Sequence, residues 1–264
     1  MKQRIITAVI GIAIVLPIIF YGGMPFLLLT YLLATIGLYE ALRMKKQSIF
    51  SIPGFISIVL LWIFLVPSQY NNIIQQFHYT KIEFMMIGIL LMLTFTVASK
   101  NRFTFEDASY SILSVLYVGI GFFYMNETRS ADSGLTYLFY ALFIIWATDS
   151  GAYFIGKAMG KRKLWPEISP NKTVEGFVGG VVCALVVALL FALISDIPAG
   201  LMKLLIAGVV LSIFGQIGDL VESALKRHFD VKDSGSILPG HGGILDRFDS
   251  LLVVLPILHF IHLI

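Results

Sequence analysis

Long apolar runs separated by short polar segments follow one another along nearly the whole chain. A helix needs about 20 mostly apolar residues to cross a hydrocarbon core about 30 Å thick, because each residue rises about 1.5 Å. The runs lack the period-two alternation of a barrel strand, so helices are the structure that satisfies their backbone groups in lipid. The pattern predicts nine helical runs, at residues 5–20, 25–42, 52–66, 83–98, 108–124, 134–156, 172–194, 200–224 and 250–263.

Composition supports this pattern. Of 264 residues, 58% are hydrophobic and only 13% are charged, which is far more apolar than a soluble domain. The expected fold class is an all-α polytopic membrane protein, a bundle of about eight to nine transmembrane helices, because the third and last runs are short enough to be re-entrant. We expect one integral-membrane domain, with N-terminal helices in residues 1–130 and chemistry-bearing helices in residues 131–264.

The basic residues predict an orientation. If the N-terminus is cytoplasmic and nine helices alternate, 16 of the 19 lysines and arginines fall in inside segments. Only Lys81, Arg129 and Lys203 lie outside, as the positive-inside rule requires. The polar site is therefore expected at the cytoplasmic face.

Acidic residues contribute little to orientation, so their placement is more informative about function. Asp149 interrupts the sixth apolar run, and a carboxylate there usually faces a bundle interior or a wet cavity, or packs against a neighbouring helix. Asp219, Glu222, Ser223 and Lys226 follow the eighth run at i, i+3, i+4 and i+7, which places them on one helical face. That face is either a site near the membrane or a solvated surface.

A glycine-rich segment precedes the last run. Helix-breaking residues surround His241 there and leave backbone amides free to approach a ligand: Pro239, Gly240, Gly242 and Gly243. Asp246 and Asp249 then stand at i and i+3 where the last helix begins. Either aspartate alone also suits a helix N-terminus.

The segment ISPNKTVEGFVGG opens the seventh run. Ser169 is the expected N-cap and Pro170 the expected first helical residue. Free amides and the helix dipole at a helix N-terminus that carries Lys172 and Thr173 favour an anion such as phosphate, although a simple cap explains the same residues equally well.

Separated acidic elements with adjacent Lys and Arg suit Mg²⁺ and a polyphosphate, because hard cations combine carboxylate and phosphate oxygens. Phosphoryl and nucleotidyl transfer depend mainly on such positioning and charge neutralisation. No Walker loop or Rossmann glycine pattern occurs in the sequence, so a nucleotide would have to bind at the helix ends, and a site at the interface implies a lipid substrate.

Three segments resemble the phosphatidate cytidylyltransferase family. The long segment SALKRHFDVKDSGSILPGHGGILDRFD, at 223–249, is similar to the family signature, and WATDSGAYFIGKAMGKRK and ISPNKTVEGFVGG are similar to two further family segments. The resemblance covers about residues 146–249. It implies that CTP and phosphatidate give CDP-diacylglycerol and diphosphate with Mg²⁺, and a second cation stays an open alternative. It also implies a homodimer in the lipid bilayer of a bacterial plasma (inner) membrane, with the active site facing the cytoplasm and no nucleic-acid partner.

The resemblance, together with the chemistry above, leads us to expect three groups of site residues. The metal ligands are expected to be Asp219, Asp246, Asp249 and Asp149. The groups expected to act on the phosphates as catalytic residues are Lys226, Arg227, His241 and Arg247. Substrate binding is expected to involve Lys172, Thr173, Ser223, Glu222, Gly242 and Gly243.

Two other function classes remain open from the residues alone. A CTP-dependent kinase of a lipid alcohol, such as a polyprenol or diacylglycerol, needs similar metal and phosphate groups. A transporter would place its charges near the bilayer midplane at a repeat interface, whereas here they cluster towards one face and no internal repeat is visible.

Overall fold

The computed structural model describes residues 2–264, and it describes the side chains of all of them except residues 2–5, 8 and 73. Over this range the chain forms ten α-helices and one short antiparallel hairpin. The helices are α1 (Lys2–Tyr21), α2 (Gly23–Met44), α3 (Ile52–Leu65), α4 (Asn71–Gln75), α5 (Lys81–Ala98), α6 (Phe105–Ser130), α7 (Gly134–Met159), α8 (Val174–Ile194), α9 (Leu201–His228) and α10 (Leu245–Phe260). The strands are β1 (Lys163–Trp165) and β2 (Ser169–Thr173), and a 3-10 turn occupies Ser68–Tyr70.

The fold class predicted from the hydrophobic pattern is confirmed, since each of the nine predicted runs contains a helix. Among the described residues, six helices are long and apolar enough to cross a membrane, namely α2 and α5 to α9. Two further apolar helical stretches, Val9–Tyr21 and Ile52–Leu65, are shorter. The protein is therefore a multi-pass α-helical membrane protein, and the number of complete spans stays a prediction.

The chain forms two compact units. Of the described residues, the first unit contains 2–127 and 234–245, and the second contains 128–233 and 246–264. The glycine-rich segment thus belongs with the N-terminal helices, although it is distant from them in sequence.

In the first unit, a glycine allows two helices to approach closely. A Cβ on Gly88 of α5 would overlap the side chain of Leu60 on α3, which is buried. Phe26 and Leu38 of α2 and Phe122 of α6 are also fully buried, so the apolar core of this unit draws on several helices.

In the second unit, α7 and α8 pack at small residues. A Cβ on Gly151 would lie 2.6 Å from the Cys183 sulfur, and one on Gly180 would lie 2.8 Å from the Thr148 carbonyl oxygen. Close backbone approach through small residues is a common way for helices to associate in membranes. The Thr148 hydroxyl also donates to the Ser212 hydroxyl at 2.9 Å, which links α7 to α9.

The expected start of the helix at the seventh run is wrong. Ser169 and Pro170 lie in strand β2, which pairs with β1, and α8 begins only at Val174. Thr173 is the N-cap, because its backbone is extended and its hydroxyl accepts a hydrogen bond from the Gly176 amide at 3.1 Å. Lys172 is consequently presented by a strand and not by the first turn of the helix.

Candidate active site

Asp219 is held from two sides in the second unit. The Ser223 hydroxyl, one turn further along α9, donates to Asp219 Oδ1 at 3.2 Å. The Lys172 ammonium, at the end of β2, lies 2.7 Å from Asp219 Oδ2. The Asp219 side chain is 34% exposed and that of Lys172 is 26% exposed, so this ion pair lies where a ligand can reach it.

Lys226 bridges two buried carboxylates one turn further along α9. Its ammonium lies 2.6 Å from Glu222 Oε2 and 2.7 Å from Asp246 Oδ1. The Glu222 side chain is 1% exposed, that of Asp246 is 5% exposed and that of Lys226 is 16% exposed. A buried ion triad persists only when each charge is compensated, so the three side chains depend on one another.

A glycine brings α10 against α9 beside these charges. A Cβ on Gly218 would lie 2.7 Å from the Asp249 carbonyl oxygen and 3.1 Å from the Ser250 Cα. Any side chain at position 218 would therefore push the two helices apart. Because Gly218 has no side chain, the first turns of α10, which carry Asp246 and Asp249, pack directly against the polar face of α9.

The two remaining carboxylates of the prediction, Asp149 and Asp249, interact electrostatically with this cluster. Asp149 of α7 lies close enough to Asp219 and Lys172 for their charges to interact, and Asp249 interacts with Asp219, Asp149 and Lys226. The Asp149 side chain is accessible, as the interpretation of this residue as facing a wet cavity requires. In their ionised forms the five carboxylates outnumber the two ammonium groups by three, which favours the binding of a cation.

Hydrogen bonds connect the β1–β2 hairpin to α8 just before β1 and to α9 at the loop between the strands. The Glu175 carboxylate, in the first turn of α8, accepts hydrogen bonds from the backbone amides of Lys161 and Arg162 at 3.0 and 3.2 Å. The Arg227 guanidinium donates to the Ile168 carbonyl oxygen at 3.3 Å. Arg227 lies at the end of α9, beside the loop of the hairpin, and is exposed. Arg247, on α10, is also exposed.

The glycine-rich segment forms a tight turn in the first unit. The Leu238 amide donates to the Gly242 carbonyl at 3.0 Å, and the His241 amide donates to the Leu238 carbonyl at 2.8 Å. Gly240 and Gly242 have φ values of 79° and 84°, a left-handed conformation that residues with a side chain rarely adopt. The expectation of a non-helical segment is confirmed.

The structure groups the predicted residues in two sets. Those in the second unit are Asp149, Lys172, Thr173, Asp219, Glu222, Ser223, Lys226, Arg227, Asp246, Arg247 and Asp249. Those in the first unit are His241, Gly242 and Gly243.

Sequence reasoning missed Glu40. This residue of α2 is completely buried, and its carboxylate accepts hydrogen bonds from the Ile244 and Leu245 amides at 3.0 Å each. The Ser234 hydroxyl donates to the same carboxylate at 3.1 Å. The signal was present, because Glu40 is a carboxylate within a predicted span and such residues usually have a specific partner.

The donor set suits Mg²⁺ that is shared with a substrate. Among the residues that the structure describes, no three His, Cys, Asp or Glu side chains form a group that could hold a metal ion by themselves. Mg²⁺ is usually held by one or two carboxylates together with phosphate oxygens and water, and not by a cage of protein ligands alone. Glu222 Oε1 is buried and has no hydrogen-bond partner among the described residues, so the cluster retains unused acceptor capacity.

The model of the cytidylyltransferase family matches residues 2–264, and the chain belongs to that family of nucleotidyltransferase enzymes. Phosphatidate cytidylyltransferase from Bacillus subtilis (strain 168) is 55% identical over 262 residues, which cover 99% of this chain and 97% of the relative. The proteins of the same name from Staphylococcus saprophyticus and Staphylococcus haemolyticus are 50% and 49% identical over 261 residues, or 99% of this chain and 98% of each relative. The family resemblance of the three segments is therefore confirmed, and it extends over the whole chain.

Proposed function

We propose that this protein is a phosphatidate cytidylyltransferase, which converts CTP and phosphatidate to CDP-diacylglycerol and diphosphate in phospholipid biosynthesis. The full-length identity to enzymes of that name supports the substrates. The observation that carries the proposal is the cluster on β2, α9 and α10, where ammonium groups and an excess of carboxylates lie in one unit of a membrane protein.

The reaction is an in-line displacement at phosphorus. A phosphate oxygen of phosphatidate attacks the α-phosphorus of CTP and forms the new P–O bond. The bond from the α-phosphorus to the oxygen that bridges to the β-phosphorus breaks, and its electron pair leaves with diphosphate. The attacking oxygen is already anionic, so no strong general base is needed. Catalysis then depends on alignment of the two phosphates and neutralisation of charge.

The basic side chains would hold the phosphates. Lys172 and Lys226 are now paired with carboxylates, and a phosphate oxygen could share or replace one of those partners. Arg227 and Arg247 are exposed and can reach a ligand from solvent. His241, with the backbone at Gly242 and Gly243, is the group proposed for the leaving diphosphate, while Thr173, Ser223 and Glu222 complete the substrate-binding set.

Mg²⁺ would be held by Asp219 and Asp246, with Asp249 and Asp149 as further ligands. When bound, it supplies positive charge to the phosphate oxygens as diphosphate leaves. Ser223 orients Asp219 for this role through its hydrogen bond to Oδ1. A second cation would find ligands in the same set.

The membrane setting follows from the substrate. Phosphatidate remains in the bilayer and presents its head group at the interface, so we propose an active site at the cytoplasmic face of the bacterial plasma membrane. The distribution of lysine and arginine supports this orientation. The family resemblance supports a homodimer.

A pair of labelled substrates tests the reaction. Purified protein in mixed micelles with Mg²⁺, phosphatidate and diacylglycerol receives CTP labelled at the α-phosphate in one reaction and at the γ-phosphate in another. Lipid labelled only from the α position, and only with phosphatidate present, is the expected result. Lipid labelled from the γ position would instead show a lipid-alcohol kinase, and the absence of label from both would favour the transporter.

A further inference from the structure

We propose that Glu40 is a positioning residue, which fixes the glycine-rich segment 234–245 in the geometry that catalysis requires. This inference rests on the proposed function, because the segment contains His241 and ends one residue before Asp246. Glu40 itself is not expected to touch a substrate.

Glu40 is completely buried, so its carboxylate needs specific hydrogen-bond partners. Transfer of an uncompensated carboxylate out of water is strongly unfavourable, so a completely buried one requires good partners. The partners of Glu40 in this segment include the Ser234 hydroxyl, the Ile244 amide and the Leu245 amide. Hydrogen bonds to an ionised acceptor are roughly twice as strong as neutral ones.

Two of these partners lie at the start of α10. Leu245 is the first residue of that helix, and the amides of a first helical turn have no partner within the helix. Glu40 therefore caps α10 from another helix, and its negative charge also interacts favourably with the helix dipole. Asp246, a proposed metal ligand, follows Leu245 directly along the chain.

The position of the Glu40 carboxylate also explains why residues 235 and 243 are glycines. A Cβ on Gly243 would overlap Glu40 Oε2 and the Ser234 hydroxyl oxygen, and a Cβ on Gly235 would overlap Glu40 Oε1. Gly243 has no positive φ, so its glycine is required by this close approach and not by backbone conformation. The segment is shaped around the Glu40 carboxylate.

The first test is Glu40→Gln, which keeps the shape but replaces one acceptor oxygen with a donor that faces backbone N–H groups. We expect kcat to fall about ten- to a hundredfold with a much smaller change in the KM for phosphatidate, because the misplaced segment would lose interactions made in the transition state. A normal kcat in Glu40→Gln would overturn the proposal. If the wild type transfers no α-label either, the proposed function fails first, so the two failures are distinguishable.

A double-mutant cycle keeps the proposal testable if Glu40→Gln does not fold. Gly243→Ala should lose activity through overlap with the Glu40 carboxylate and the Ser234 hydroxyl, and Glu40→Asp should remove the first of these overlaps by withdrawing the carboxylate by one methylene. If the two changes acted independently, the relative activity of the double variant Glu40→Asp/Gly243→Ala would equal the product of the relative activities of the two single variants. We expect it to be several-fold higher, and this excess measures the direct coupling of the two residues. Simple additivity would contradict the proposal. Gly200→Ala is the matched control, because a Cβ there has no atom within 4 Å.

A second, independent observation concerns a basic cavity in the first unit, and we infer that it binds the phosphate of one anionic phospholipid. The cavity measures about 740 Å³ and lies where the segments after α2 and α5 meet the N-terminus of α3. Four basic side chains line it: Lys45, Lys46, Lys100 and Arg102.

The charges of this cavity are largely uncompensated. Lys45 pairs with Asp107 at 2.9 Å, but no ion pair is found for Lys46, Lys100 or Arg102 within the part of the chain whose side chains are described. Residues at the start of α3 line the same cavity, and a helix N-terminus also favours an anion.

Apolar side chains beside these segments indicate a lipid as the source of the phosphate. Phe50 is 95% exposed, Val97 is 78% exposed and Phe105 is 68% exposed. Large exposed apolar groups next to cations suit the boundary between head groups and acyl chains.

Native mass spectrometry of delipidated protein tests this inference with phosphatidylglycerol, phosphatidylcholine and inorganic phosphate as probes. We expect selective retention of phosphatidylglycerol and a loss of about tenfold in its affinity for Lys100→Gln/Arg102→Gln. Arg43→Gln, which removes an exposed charge from the last turn of α2 outside the cavity, should bind like the wild type. Unchanged binding in the double variant would overturn the inference, and so would inorganic phosphate binding as tightly as the lipid.

Discussion

Replacement of Lys226 by methionine should strongly destabilise the protein. Methionine resembles the apolar stem of lysine in length and shape. The change therefore removes mainly the ammonium group, which lies 2.6 Å from Glu222 and 2.7 Å from Asp246. Both carboxylates are almost completely buried, so neither can recover its interaction with water. Loss of one partner from a buried ion pair typically costs about 3–5 kcal/mol, and here two carboxylates lose the same partner.

A second variant separates stability from activity. In Lys226→Met/Glu222→Gln, one of the two uncompensated charges is gone, so we expect part of the lost free energy of unfolding to return. Turnover should stay absent, because no ammonium is left at this position to hold a phosphate. Unfolding in mixed micelles with increasing denaturing detergent measures the first quantity, and transfer of the α-label of CTP measures the second.

Two results would refute this reasoning. A loss below about 1 kcal/mol in Lys226→Met would mean that the ion triad contributes no more than a surface pair. Recovery of turnover in the double variant would remove Lys226 from the phosphate-binding groups. Lys232→Met is the matched control for stability, because Lys232 is exposed and surface substitutions usually change stability by less than about 0.5 kcal/mol.

Three further changes have distinct expected outcomes. Asp219→Asn should abolish turnover in a folded, membrane-inserted protein, and near-normal transfer of the α-label would exclude Asp219 from the site. Gly218→Ala should lower both stability and turnover, because its Cβ would meet the Asp249 carbonyl oxygen at 2.7 Å; unchanged thermal unfolding and activity would contradict that close approach. Thr173→Ala should lower the free energy of unfolding by about 1 kcal/mol through loss of the N-cap, whereas Thr173→Ser should retain most of it.

The helical architecture could be predicted because lipid leaves the chain few alternatives. Every apolar run of sufficient length has to form a helix, and the run boundaries agree with the helix ends within six residues. The shared face of Asp219, Glu222, Ser223 and Lys226 could also be predicted, since it depends only on helical periodicity within α9.

Contacts between distant segments could not be predicted in the same way. Helical spacing places Lys226 and Glu222 together, but nothing in it reveals that Asp246 joins them from α10. The hairpin was missed because Ser169 and Pro170 match the start of a helix locally, while pairing with Lys163–Trp165 determines the actual structure. The partners of Glu40 could not be predicted for the same reason, since they lie about 200 residues further along the chain.

That separation has a consequence for biosynthesis. Ser234 follows Glu40 by 194 residues, so at roughly 5–20 residues per second a ribosome reaches it roughly 10–40 s after Glu40 has been made. During that interval the Glu40 carboxylate lacks the donors at Ser234, Ile244 and Leu245 that it has in the finished protein. Helix α2 therefore completes its native contacts only near the end of translation, and a chain that stops before residue 234 leaves the Glu40 carboxylate without these donors.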